Sequence, residues 1–176
     1  CVTMGTKDAL VETLQALCAP GSTVILPSPT YPAHLSAVHV AQLRAVTFPL
    51  ATAETQMLRD LERALRAHPG SVVLLNFPNN PTGQLASRQF YRGLSGLLAT
   101  YDGFAVNDFV YGEMAFEESA VSMLAETGTT RAAEIYSLSK AYNVPGWRVG
   151  ALVGNERAIS CVSKLKAYVD YGIFLP

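Results

Sequence analysis

Cysteine, histidine and lysine are scarce in this chain, and it has neither long apolar runs nor blocks of like charge. The cysteines Cys1, Cys18 and Cys161 are an odd set without CxxC spacing. They suggest neither a disulfide framework nor a zinc site, and reducing cytoplasm is the default compartment. His34, His39 and His68 are too scattered to form a metal-ligand set, so no metal is expected and they read as ordinary core or surface residues. No stretch is apolar for long enough to span a bilayer. Positive and negative side chains are mixed and the formal net charge is -1, which argues against a nucleic-acid or membrane-surface partner. The lysines are Lys7, Lys140, Lys164 and Lys166, so chemistry that needs an amine has few candidates.

What the chain does have is core. Apolar residues make up 49% of its 176 positions, enough for a substantial single core and inconsistent with disorder. The first residue is Cys1, and Val2 to Gly5 looks like the end of a strand running into a helix. The other end, Gly172 to Pro176, carries no terminal helix or stop signal. The sequence is therefore read as a piece cut from a longer protein, and the lack of a signal peptide says little about localisation.

Strand and helix signals alternate along it. Leu10, Leu14 and Leu17 repeat at helical spacing after Gly5-Thr6-Lys7-Asp8, and Pro20-Gly21 stops them. Thr6 is expected to cap this helix. Its first free amides, close approach at Gly5 and the charge of Lys7 would make an anion site, with a plain cap as the alternative. A strand over 23–26 ends in a proline-rich loop that leaves Tyr31 either to stack on a flat ligand or to pack on the helix over 33–40. A strand over 43–48 and a helix lined by Leu58, Leu61 and Leu65 follow. The apolar strand 71–77 runs into Pro78-Asn79-Asn80-Pro81-Thr82-Gly83, where the Asn80 carboxamide is either a rigid donor toward a ligand oxygen or part of an Asx turn.

After a helix over 87–101, a strand over 104–107 delivers Asp108, with Tyr111 just beyond. That carboxylate either caps a loop or pairs with a cation, of which a cofactor's protonated ring nitrogen is one. A strand over 133–138 delivers Ser139 and Lys140, either a primary amine able to form a Schiff base or a solvated loop lysine, with Arg148 nearby as a phosphate anchor or a surface ion-pair partner. Lys164 and Lys166 fall in a helical segment with no chemical neighbours in sequence. Too little chain separates Lys140 from Val149 for a helical crossover, so Val149 to Val153 is expected to run antiparallel. The fold expected is α/β, three layers α-β-α, with a mostly parallel sheet carrying one antiparallel strand.

Asn80-Pro81-Thr82-Gly83, the Asp108 and Tyr111 pair, Ser137-Leu138-Ser139-Lys140 and Gly146-Trp147-Arg148-Val149-Gly150 resemble, in order and spacing, the class I/II aminotransferases of the fold type I pyridoxal-phosphate enzymes. Gly5-Thr6-Lys7 and the Lys164 to Tyr171 segment bring the resemblance toward the alanine and LL-diaminopimelate aminotransferases. The resemblance implies pyridoxal 5'-phosphate as cofactor and Lys140 as the Schiff-base lysine and proton shuttle. It implies that Asp108 holds the ring nitrogen protonated, that Asn80 and Tyr111 bond the phenolic oxygen, and that Tyr31 stacks on the ring. Gly5, Thr6, Lys7, Ser137, Ser139 and Arg148 would surround the phosphate.

By the same resemblance, residues 1–176 are the cofactor-binding large domain, without the N-terminal arm and the C-terminal small domain. The implied activity moves an amino group between an amino acid and a 2-oxo acid, in a homodimeric full-length protein. A C–S lyase, a decarboxylase or a non-catalytic regulator built on the same cofactor residues are the alternatives. The family's carboxylate-binding arginine and its neighbour-subunit tyrosine lie outside these motifs, so substrate choice is not legible.

Overall fold

In a computed structural model of the chain, residues 1–116, 119–170 and 172–173 are described. Tyr171 and Phe174 to Pro176, named above, lie outside the described residues. The strands are β1 (Val2–Thr3), β2 (Thr23–Ser28), β3 (Arg44–Pro49), β4 (Val72–Leu75), β5 (Phe104–Asp108), β6 (Ala132–Ser137) and β7 (Gly150–Gly154). They form one sheet in the order β1-β7-β6-β5-β4-β2-β3. Neighbours from β3 to β6 pair parallel, while β7 runs antiparallel to both β6 and β1. This is the single antiparallel strand expected from the short connection after Lys140. No helix among the described residues is long and apolar enough to cross a membrane.

The connecting helices are α1 (Gly5–Leu17), α2 (Pro32–Val40), α3 (Glu54–Ala67), α4 (Arg88–Thr100), α5 (Met123–Thr127), α6 (Leu138–Ala141) and α7 (Glu156–Val169). They cover the sheet on both faces because strand side chains alternate. Val24, Leu26, Leu74 and Val106 pack with Leu10 and Leu14 of α1 and Val162 of α7. Ile25, Val73 and Leu75 point the other way, into Met57, Leu61 and Leu65 of α3 and Phe90 and Leu94 of α4. All of β4 is buried as a result.

Two local expectations are corrected. Thr6 is not the cap of α1: the helix starts at Gly5, with Met4 in the cap position and no side-chain cap bond, so Thr6 lies in the first turn. Backbone pairing of the strand placed at 71–77 covers only β4, because from Asn76 onward side chains take over its hydrogen bonds.

Candidate active site

Parallel pairing brings the carboxyl ends of β2, β4, β5 and β6 to one edge, where open α/β sheets hold their ligands. Asp108, the last residue of β5, is buried. Its Oδ2 lies 3.1 Å from Nε2 of His34 on α2, and its Oδ1 accepts the N–H of Val110 at 3.3 Å. His34 is 1% exposed, and its Nδ1 meets the hydroxyl of Thr30 at 2.8 Å. A carboxylate can only accept, so Nε2 carries the hydrogen it donates to Asp108. The Tyr31 ring meets His34 in an edge contact, with ring centroids 5.7 Å apart and planes at 86°.

The loop after β4 separates two tasks between adjacent asparagines. Asn79 makes the Asx turn, its Oδ1 accepting from the N–H and hydroxyl of Thr82 at 3.3 and 2.9 Å. Asn80 is thereby left to point away, and its Nδ2 donates to the Tyr111 hydroxyl at 3.1 Å. Pro78 to Pro81, Tyr111 and Phe116 help line an open cleft of about 670 Å³.

At the other side of the edge, Gly5 has φ +76°, and a Cβ there would lie 2.4 Å from Nη2 of Arg148. Only glycine admits the guanidinium this closely. Arg148, itself left-handed at φ 55°, donates through Nη2 to the carbonyl of Met4 at 3.3 Å and through Nη1 to that of Pro145 at 3.0 Å. The start of α1 and the arginine are thus joined across the chain. Ser137 is buried and caps α6, its Oγ accepting the N–H of Ser139 at 3.1 Å and lying 3.0 Å from the Ser139 hydroxyl. Lys7 and Lys140 are both exposed. Lys140 lies on α6, immediately after the strand that neighbours β5, and makes no hydrogen bond or ion pair to the described residues.

Lys166 behaves differently, and it does have chemical neighbours that the sequence hides. It is buried, its Nζ bonds Asp170 and stands 3.6 Å from Glu12 of α1. Burial opposes its charge, but the bond to Asp170 and the Glu12 charge outweigh that and hold it protonated. An amine committed to two ion pairs is a poor nucleophile.

Five positions near the site were not singled out by sequence: Thr30, His34, Asn76, Asn107 and Glu134. Asn107 Nδ2 donates to Glu134 Oε1 at 2.9 Å, and Glu134 accepts from Ser122 and Met123 as well. The one signal available was for His34, three residues after Tyr31 on a helix opened by Pro32. That spacing puts both rings on one helix face.

Residues 1–169 match the profile of the family described as aminotransferase class I and II. Over 179 residues the chain is 34% identical to the glutamate-pyruvate aminotransferase AlaC of Escherichia coli, covering 99% of this chain and 43% of that protein. It is 36% identical over 177 residues to the LL-diaminopimelate aminotransferase of Natranaerobius thermophilus, covering 98% of this chain and 46% of the relative. The solved structure of substrate-bound BacF from Bacillus subtilis superposes with a TM-score of 0.90 at 32% identity, over 98% of this chain and 44% of that one. The chain thus spans less than half the length of these relatives.

Proposed function

The chain belongs to the aminotransferase class I and II family, and from that premise we propose that residues 1–176 form the cofactor-binding large domain of an enzyme that moves an amino group between an amino acid and a 2-oxo acid. The cofactor the family implies is pyridoxal 5'-phosphate. The donor set fits such a group. The backbone at Gly5, where a Cβ would collide with Arg148, lets a helix start and a guanidinium come together, an arrangement suited to a phosphate dianion. A buried carboxylate and a hydrogen-bonded amide and phenol stand at the neighbouring strand ends.

In this reading Gly5, Thr6, Lys7, Ser137, Ser139 and Arg148 hold the phosphate, and Tyr31, backed by His34, lies against the ring. When bound, pyridoxal phosphate supplies a carbonyl for a primary amine to condense with and a ring that accepts electrons. Lys140 Nζ would be the amine for that carbonyl and, once the substrate's amino group had displaced it, the base that carries a proton to and from the substrate Cα. Asp108 keeps a proton at the ring nitrogen, and the His34 bond to Oδ2 and the Val110 N–H to Oδ1 fix the carboxylate's direction. Asn80 Nδ2 and the Tyr111 hydroxyl, already aligned with each other, hold the phenolic oxygen.

The observation that carries the proposal is the Asn80–Tyr111 bond beside buried Asp108, one strand from the helix that bears Lys140. We assign the full-length protein to the cytoplasm as a homodimer. The cysteines, all free thiols, support the first, and Tyr142 and Trp147, exposed at 60% and 45% on the site's side of the chain, support the second. The test is to incubate the full-length protein with a panel of amino acids and measure pyridoxamine phosphate and oxo acid together. Stoichiometric formation of both is expected for at least one amino acid. Oxo acid with ammonia release, or neither product with any amino acid, would refute the assignment.

A further inference from the structure

β4 and β5 pair as parallel strands only as far as Leu75 opposite Asn107, and beyond that point side chains replace the backbone ladder. Asn76 Nδ2 donates to the carbonyl oxygen of Asp108 at 2.7 Å, and Asn107 Oδ1 accepts the N–H of Phe77 at 3.0 Å. The two carboxamides splice the strands reciprocally, and both are fully enclosed, at 1% and 0% exposure. Asn76 has a second task. Its Oδ1 accepts the N–H of Asn80 at 2.9 Å. A single buried side chain therefore grips the backbone of both residues whose side chains the proposed function sets at different edges of the cofactor ring. The amide's orientation follows from its partners, since a carbonyl can only accept and an N–H only donate. Aspartate offers no donor in this place, and alanine offers neither group.

We propose that Asn76 is a positioning residue for the cofactor: it sets the separation between the Asp108 carboxylate and the Asn80–Tyr111 donor pair, and so tunes the proton affinity of the nitrogen through which Lys140 holds the cofactor. The inference rests on the cofactor reading given above. Donors at the phenolic oxygen draw negative charge away from that nitrogen, and a carboxylate that keeps the ring nitrogen protonated adds positive charge nearby. Both lower the nitrogen's proton affinity. Loosening both at once raises it, because the two shifts have the same sign.

The experiment titrates, against pH, the visible absorption of the bound cofactor in the full-length holoenzyme. Wild type is compared with Asn76→Ala, Asn76→Asp and Leu61→Ala, the last a buried α3 residue that reports loss of stability alone. Melting temperatures of the cofactor-free proteins are recorded alongside. The midpoint is expected to rise by about one pH unit, a tenfold change in proton affinity, in both Asn76 variants and to stay at the wild-type value in Leu61→Ala. Asn76→Asp keeps the acceptor for Asn80 and the side-chain volume, so it carries the test if Asn76→Ala does not fold. A wild-type midpoint in the Asn76 variants, whatever their melting temperatures, overturns the inference and leaves Asn76 a structural residue. A wild-type protein with no cofactor band overturns the cofactor reading, and this inference with it.

Discussion

In the proposed function Asp108 is the residue on which the chemistry of the site turns, and its surroundings say how a substitution should behave. It ends a buried strand, points one oxygen at His34 and the other at the Val110 amide, and is 3% exposed. Asp108→Asn keeps the shape and the Val110 bond but gives up the charge facing the ring nitrogen. Full-length Asp108→Asn is expected to retain the cofactor while its proton abstraction from substrate slows far more than cofactor binding weakens, since the lost interaction strengthens as negative charge develops on the substrate carbon. Single-turnover kinetics and a cofactor dissociation constant separate the two effects. Equal losses in both, or near-normal turnover, would make Asp108 a loop cap. Asp108 and Lys140 are legible in sequence because each closely follows an apolar strand, and Asn80 because it stands beside proline after one. His34 is not, because its partner lies 74 residues away and no period or motif links them. Asn76 is hidden for a related reason, since inside the apolar run 71–77 it reads as one more strand residue, and nothing in the sequence links it to Asp108.

Helices α1 and α7 meet through charges that neither segment reveals alone. Asp8 and Glu12 share a face of α1, Lys166 and Asp170 come from α7 and its end, and three carboxylate oxygens of this group lie within 4.8 Å of one another. Glu12 is 2% exposed and neither of its oxygens has a hydrogen-bond partner. Burial first, and then the Asp8 charge, push its carboxyl up from 4.5 to about 7, against the pull of Lys166. The folded protein therefore binds this proton more tightly than the unfolded chain does. The resulting stability is fully present below about 4.5 and is lost as pH rises through about 7. Glu12→Gln mimics the protonated form, so its melting temperature is expected to exceed that of the wild type above pH 7 and to match it more closely in acid. A difference between the two that does not change with pH would contradict this. At the same scale, the helix boundaries follow from apolar spacing, whereas the start of α1 does not, because Met4 occupies the cap position without a capping side chain.

The order of elements, the parallel sheet and the one reversed strand are legible from the alternation of strand and helix signals and from the short connection before β7. The pairing order β1-β7-β6-β5-β4-β2-β3 is not, since β1 reaches its edge by pairing with β7 near the other end of the chain and β4 pairs with β2 rather than with the preceding strand β3. That order puts β6 beside β5, and with it Lys140 on the same edge as Asp108. It also buries Lys166 between α1 and α7, where it stays charged and paired, and of the two exposed lysines at the carboxyl edge Lys140 follows β6, next to β5, whereas Lys7 opens α1 beyond the edge strand β1. The most direct measurement reduces the full-length holoenzyme with borohydride and maps the modified peptide. The account predicts the pyridoxyl label on Lys140. A label found chiefly on Lys7, Lys164 or Lys166 would contradict it.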